Sequence, residues 1–417
     1  MAVPTIDQLK QVYGVAAEKT AERLKVLENR YIDRFGQSDL EFFSAPGRTE
    51  IIGNHTDHNG GKILAASITM DTIAAAAPNG TNTIEIVSEG YSQPIVFDVD
   101  AVETIPPCQG SLSLVAGMVR ALRDRKYRVA GFNATVSSEV IPSAGVSSSA
   151  SFEMLIIQVI DHLFNHDSIE RADYAYIGQY AENVYWKKAS GLMDQMACAV
   201  GGTIVLDFSD GVKYEKVDFS FDSLGCDLVI VNTGKGHADL SEEYSSVPQE
   251  MHAIANVFGV EQLSQISEDD LLRRLPEVRE CVGSDRAVLR ALHFFEECGR
   301  VDKAVQALHE GNRSEVLNLI EASGNSSWKW LQNAYVSSDP AEQSIPLALA
   351  LTEIYLRRLG RGVCRLHGGG FAGVIMCVVP SEHTQDYVEY MAPYVGIENI
   401  YRTNIRQVGA ACLNAGA

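Results

Sequence analysis

No C-x-x-C pair occurs among the eight cysteines of this 417-residue chain, which lie scattered from Cys108 to Cys412. That scatter argues against a disulfide framework or a zinc ribbon, and reduced, buried thiols are expected. No apolar run approaches the ~20 residues needed to span a bilayer. The opening MAVPTIDQLKQVYG has neither a basic start nor an apolar stretch, so no secretory leader is expected and the reading is cytoplasmic. Positive charge is also scarce: 34 Lys+Arg stand against 54 Asp+Glu, a net charge of −20, half of it between residues 201 and 300. Without a basic segment, nucleic acid and anionic membrane surfaces are excluded as partners. Two catalytic patterns are missing as well. There is no G-x-x-x-x-G-K-[ST] phosphate loop and no G-x-S-x-G nucleophile turn.

What remains is an ordinary globular balance, 46% apolar and 21% charged. At roughly 100–200 residues per domain the length predicts two domains. No linker marks their boundary, which is placed at 210/211, giving domains 1–210 and 211–417. Helical spacing predicts helices over 15–35, 112–125, 152–164, 171–187, most of 240–358, and 382–393. Short β-like runs are predicted at 62–69, 72–77, 83–87, 95–99, 132–140, 203–208, 227–232, 362–366 and 374–379. Strands mixed irregularly with helices predict an α+β fold with mixed or antiparallel sheets.

Three small-residue stretches carry the chemistry. Ser44–Gly61 holds Arg48, Asn54, His55, Asp57 and His58, with Asn59-Gly60-Gly61 reading as a turn. On an extended segment His55 and Asp57 share one face and His58 points away. That arrangement suits a polyhydroxylated ligand better than a three-ligand metal site. Ser143-Ala144-Gly145-Val146-Ser147-Ser148-Ser149 runs into an apolar helix. One serine suffices for a helix cap. Three serines after a glycine, at a helix start rich in free N–H groups, point to phosphate binding, with a serine hydroxyl available to Mg²⁺. The third stretch, Gly368-Gly369-Gly370-Phe371-Ala372-Gly373, permits close backbone approach, and alone it reads as a flexible hairpin. Asp194 reads as a cap carboxylate, Glu182 as a solvated helix face, and His162 with His166 as a polar helix surface.

Together these stretches resemble the GHMP kinase superfamily, and within it the galactokinase family, over nearly the whole chain. The first resembles the family's A-P-G-R-x-x-x-I-G-E-H-T-D-Y-N-G-G, the second its G-L-S-S-S-A-S, and the third its G-G-G-F-G-G. Gly191-Leu-Met-Asp194-Gln195 is similar to its G-[IL]-M-D-Q, and Asn232 to Tyr244 matches a further interval. The resemblance implies a two-domain GHMP-kinase-like fold with the active site in the cleft between domains. It implies transfer of the γ-phosphoryl group of MgATP to the anomeric hydroxyl of a sugar. By the same resemblance Asp194 and Arg48 are catalytic, and Asn54, His55, Asp57, Gly191 and Tyr244 hold the sugar. Residues Ser143 to Ser149 cradle ATP, and Ser149 and Glu182 hold Mg²⁺. Small-molecule sugar and MgATP are the expected partners, and the sequence leaves the oligomeric state open, a monomer being one option. The chain departs from the pattern at Asn54, where the family has Glu, and at His58, where it has Tyr. Galacturonate, arabinose and N-acetylgalactosamine are therefore alternatives to galactose. A non-catalytic sugar and ATP sensor of the same fold is expected to have a damaged site, and here Arg48, Ser149, Glu182 and Asp194 are all kept.

Overall fold

A computed structural model describes residues 3–37, 39–142, 145–188, 190–234, 240–371 and 373–414. The strands β1 (Glu41–Ile52), β2 (Lys62–Pro78), β3 (Thr83–Ser88), β4 (Ile95–Asp98), β5 (Phe132–Ser138), β6 (Thr203–Asp207) and β7 (Lys213–Val217) build one sheet. A second sheet contains β8 (Cys226–Asn232), β9 (Val363–His367), β10 (Val374–Pro380) and β11 (Ile400–Thr403), in the order β11-β8-β10-β9. The last strand, β12 (Ala411–Cys412), returns to pair with β1 in the first sheet. All pairings are antiparallel among the described strands except β3 with β5. The α+β expectation agrees with this arrangement.

Helices α1 (Ile6–Tyr13) and α2 (Ala17–Phe35) cover one face of the first sheet. In α2 the buried Leu24, Leu27 and Tyr31 recur at helical spacing, and Gly36 ends the helix with a positive φ of 83°. On the opposite face pack α3 (Ser111–Asp124), α4 (Ser148–Asn165), α5 (Arg171–Tyr180) and α6 (Met193–Val200). The second half adds α7 (Ser241–Val257), α8 (Glu268–Arg273), α9 (Leu275–Val282), α10 (Asp285–His309), α11 (Arg313–Ser326), α12 (Ser344–Leu359) and α13 (Thr384–Val395).

Two expectations need correction. A boundary at 210/211 cuts the β6–β7 hairpin, and β12 also lies on the far side of it. No linker is needed, because one apolar core is continuous across the halves: Ile52, Leu64 and Val146 pack in the same cluster as Leu228, Val301, Ile320 and Met376. The thiols are free, but Cys108 and Cys281 are exposed where burial was expected. The sequence reading also missed β1. Its Pro46-Gly47 pair looks like a breaker, and the strand absorbs it through a register shift between Pro46 and Arg48.

Candidate active site

Strand β1 alternates, so Arg48 and Glu50 share one face while Thr49 faces the opposite way. Arg48 is 6% exposed. Its Nε donates to Asp194 Oδ1 at 2.7 Å, and its Nη1 donates to the carbonyl of Gly145. Asp194 sits in the first turn of α6, yet its carboxylate caps no helix. Its other oxygen accepts the hydroxyl of Ser147. Burial would raise the Asp194 carboxyl, but Arg48 and Ser147 outweigh it and hold the group below the usual carboxylate range.

Ser147 occupies the N-cap position of α4 with a left-handed φ of 61° and makes no side-chain cap. The serines therefore divide by task. Ser147 reaches Asp194, and Ser149 donates to Glu182 Oε1 at 2.8 Å. Ser151 is structural, donating to Ala45 O at 2.8 Å. Val146 buries its side chain in the shared core, while its carbonyl accepts from Arg48 N at 3.2 Å. Ser143 and Ala144 lie outside the described residues.

Glu182 is not a solvated residue. It is buried in a wide, π-type turn, Ala181–Trp186, that continues α5. Its carboxylate takes hydrogen bonds from Ser149, Ser190 and Lys188, the last at 2.7 Å. Sequence reasoning missed Lys188, because a lysine beside a second lysine at a helix end reads as surface.

Two cavities meet at Lys188. The first, about 230 Å³, is bordered by Arg48, Glu50, Asn54, His55, Asp57, His58, Glu182, Gly191, Asp194 and Gly369. The second, about 500 Å³, is bordered by Ser148 and Ser149 at the start of α4, by Lys188, and by Tyr91, Phe152 and Trp186.

The segment after Gly53 is not extended. His55 has φ 60° and Asp57–Asn59 forms a 3₁₀ turn, so His58 borders the cavity together with His55 and Asp57 instead of pointing away. His55 Nε2 lies 2.9 Å from the carbonyl of Gly369, which can only accept, so Nε2 carries the proton. Burial pushes the His55 imidazole down to about 4, leaving it neutral. Glycine at position 191 leaves room for the Asp57 carboxylate, since a Cβ there would lie 2.0 Å from its Oδ2.

The glycine run does not border the α4 loop alone. It docks on the first motif. Gly368 O accepts from Asn54 Nδ2 at 2.8 Å, and Gly369 O accepts from His55. Tyr244 packs behind this run. Its hydroxyl donates to Gly370 O at 2.8 Å and its ring lies T-shaped on Phe371, centroids 5.6 Å apart. Tyr244 thus supports Gly369 and is absent from the residues bordering the first cavity.

Helix α10 supplies two more residues that sequence reasoning missed, His293 and Glu297. Glu297 Oε1 accepts from the backbone N of Gly53 at 2.9 Å and of Asn54 at 3.3 Å, and His293 Nε2 donates to Asn54 O at 2.9 Å. Burial would raise the Glu297 carboxyl, but His293, Arg365 and Arg300 hold it at about 2. Their i, i+4 spacing was legible, but in a long acidic segment it reads as an ordinary polar stripe. His162 is equally not a plain polar face. Its two ring nitrogens contact Glu41 at 2.5 Å and Asp167 at 2.6 Å, away from both cavities.

Comparisons with known proteins point to one family. The family model described as galactokinase galactose-binding signature matches residues 29–78, and that of the GHMP kinases N terminal domain matches residues 113–202. The galactokinase of Lactococcus lactis subsp. cremoris (strain MG1363) is 29% identical over 377 residues, covering 87% of this chain and 89% of that protein. The galactokinase of Glaesserella parasuis serovar 5 (strain SH0165) is 29% identical over 367 residues, covering 87% and 91%. The crystal structure of Lactococcus lactis galactokinase complexed with galactose superposes with a TM-score of 0.80 at 26% identity, covering 93% of this chain and 99% of that one. A mevalonate kinase matches at a TM-score of 0.61 and 15% identity, a likeness of fold alone.

Proposed function

We propose, from the premise that this chain belongs to the galactokinase family of the GHMP kinase superfamily, that it transfers the γ-phosphoryl group of ATP to the anomeric hydroxyl of galactose. The products are galactose 1-phosphate and ADP. One observation carries the reading of the site: the Asp194 carboxylate is held between Arg48 and Ser147, where the start of α4 meets a polar cavity.

The first cavity takes the sugar and the second the nucleotide, with the base between the aromatic residues and the phosphates at the α4 start. Phosphoryl transfer needs alignment and charge neutralisation more than covalent help from the protein. Asp194, kept ionised by Arg48, accepts a hydrogen bond from the sugar hydroxyl and orients its oxygen for in-line attack. Arg48, Lys188 and the N–H groups opening α4 face the charge that develops on the transferring group. Lys188 thereby supplies a cation that the missing phosphate-loop lysine provides elsewhere. The Ser149 hydroxyl and the Glu182 carboxylate, both oxygen donors, fit a hard divalent cation and would hold Mg²⁺ beside the phosphates. When bound, Mg²⁺ supplies further neutralisation of phosphate charge. His55, Asp57 and the backbone at Gly191 position the sugar.

A coupled ADP-release assay with MgATP tests this across galactose, arabinose, galacturonate and N-acetylgalactosamine. Galactose is expected to give the highest kcat/KM. ADP release no greater with galactose than without any sugar refutes the assignment.

A further inference from the structure

Asn54 occupies the position where the family carries a glutamate, and the structure withdraws it from the ligand. Its amide has two donors and two acceptor lone pairs. Nδ2 donates to Glu50 Oε1 at 3.0 Å and to Gly368 O at 2.8 Å. Oδ1 accepts from Asn333 Nδ2 at 2.8 Å and from Ser327 Oγ at 3.4 Å. All four capacities are used within the protein, and the residue is 1% exposed.

The same network delivers a carboxylate to the cavity from another position. Glu50 Oε1 accepts from Asn54 and from Arg365 Nη2 at 3.1 Å. Its Oε2 has no partner among the described residues, and Glu50 borders the sugar cavity. Arg365 is fixed in turn, donating from Nη1 to Ile51 O at 2.8 Å and from Nε to Leu366 O at 3.0 Å. The carboxylate is therefore held through Oε1, which leaves Oε2 as the oxygen available to the cavity that Glu50 borders. Arg48 and Glu50 are two residues apart on one face of β1, about 6–7 Å along the strand. That separation is about the width of a sugar ring, so Glu50 stands opposite the end that Asp194 and Arg48 engage.

We propose that Glu50 is the specificity-determining carboxylate of this site, accepting a hydrogen bond from a sugar hydroxyl remote from the reacting oxygen, and that the site selects neutral sugars against uronic acids. The proposal rests on the sugar-kinase reading above and goes beyond it. Four carboxylates, Glu50, Asp57, Glu182 and Asp194, border the first cavity against two cationic side chains, Arg48 and Lys188, and both are already paired, as is Arg365 behind Glu50. Arg48 lies 2.7 Å from Asp194, and Lys188 lies 2.7 Å from Glu182. A hydroxyl donor finds acceptors here, while a ligand carboxylate finds like charge.

The substitution Glu50→Gln tests this with little disturbance. The amide oxygen can still accept from Asn54 and Arg365, and only the atom facing the cavity changes from acceptor to donor. Kinetics are measured by ADP release with MgATP at about pH 8, above the Glu50 carboxyl, which burial raises to about 7. The unaltered enzyme is expected to favour galactose over galacturonate by about a hundredfold in kcat/KM. Glu50→Gln is expected to raise the KM for galactose about tenfold or more, leave the KM for ATP unchanged, and narrow the galacturonate gap. A 6-deoxy, 4-deoxy or 2-deoxy sugar lacking the bonded hydroxyl is expected to lose that sensitivity to the substitution. Equal use of galactose and galacturonate overturns the proposal, as does a galactose KM within twofold of the unaltered enzyme. The galactose-to-galacturonate ratio of the unaltered enzyme decides the matter even where Glu50→Gln fails to fold. Release of ADP with no sugar at all refutes the kinase reading itself, a result distinct from either.

Discussion

Asp57 and Gly191 face each other so closely that a Cβ at position 191 would lie 2.0 Å from Oδ2 of Asp57. Gly191→Ala must therefore displace the Asp57 carboxylate from its place at the first cavity. Its expected effect is a rise of about tenfold or more in the KM for galactose, with the KM for ATP unchanged. The fold is kept, because the site borders open space, and an unchanged thermal midpoint checks that. A KM for galactose that does not move would show that Asp57 does not position the sugar.

Asp194→Asn keeps the size of the side chain and removes the charge that Arg48 and Ser147 hold in place. Loss of kcat by at least about 10²-fold is expected, since the amide no longer orients the attacking hydroxyl as an anion does. Sugar binding, measured by calorimetry without ATP, is expected to survive. A kcat within a few fold of the unaltered enzyme would remove Asp194 from the mechanism.

Glu297 has its side chain fully buried and caps the backbone N–H groups of Gly53 and Asn54 while pairing with Arg300 at 2.7 Å. Glu297→Ala leaves two amides without their acceptor and takes from Arg300 the nearer of its two carboxylates, with Glu296 remaining at 3.4 Å. A stability loss of roughly 3–5 kcal/mol in urea unfolding is expected, the range for breaking a buried pair. Because His293 and Glu297 hold the sugar signature from behind, galactose affinity falls with it. Glu297→Gln, which can still accept from one amide, is expected to recover part of both.

His162 stands between Glu41 at 2.5 Å and Asp167 at 2.6 Å, and since carboxylates only accept, both ring nitrogens donate and the ring is an imidazolium. Cys412, Glu41 and Asp167 push its pKa up to about 11, far above an ordinary histidine. A pKa raised on folding stabilises fully below the unfolded value, about 6.5, and that contribution is lost as pH rises through the folded value. The stability gap between the unaltered protein and His162→Asn is therefore expected to be largest near pH 6 and to shrink towards pH 11. Thermal midpoints across that range measure it. Catalysis is expected to be unaffected, because the cluster borders neither cavity.

Much of this fold was legible before any coordinates. The spacing of Leu24, Leu27 and Tyr31 and the closing Gly36 marked α2, and the apolar run from Phe152 marked α4. Strand β1 was not legible, because Pro46 and Gly47 speak against a strand and only the register shift against β2 accommodates them. The domain boundary failed for a related reason. Chain order does not reveal that β7 and β12 join the first sheet, or that residues from both halves share one core.

The sequence by itself determined the chemistry available: which motifs occur, in what order, and that Arg48, Asp194, Ser149 and Glu182 are all present. Residue types and short spacings depend only on local chain geometry, so they can be read in one dimension. Only the tertiary structure decided which of those groups meet. Ser147 could have capped its helix and instead serves Asp194. Glu182 resembled surface and is buried. Asn54 stood at the expected sugar position and is consumed by partners at 333, 327 and 368. Hydrogen-bond capacity is finite, and which partners use it is settled by contacts between residues hundreds of positions apart. For that reason the unshared Oε2 of Glu50, whose other oxygen is taken by Asn54 and Arg365, became visible only in three dimensions.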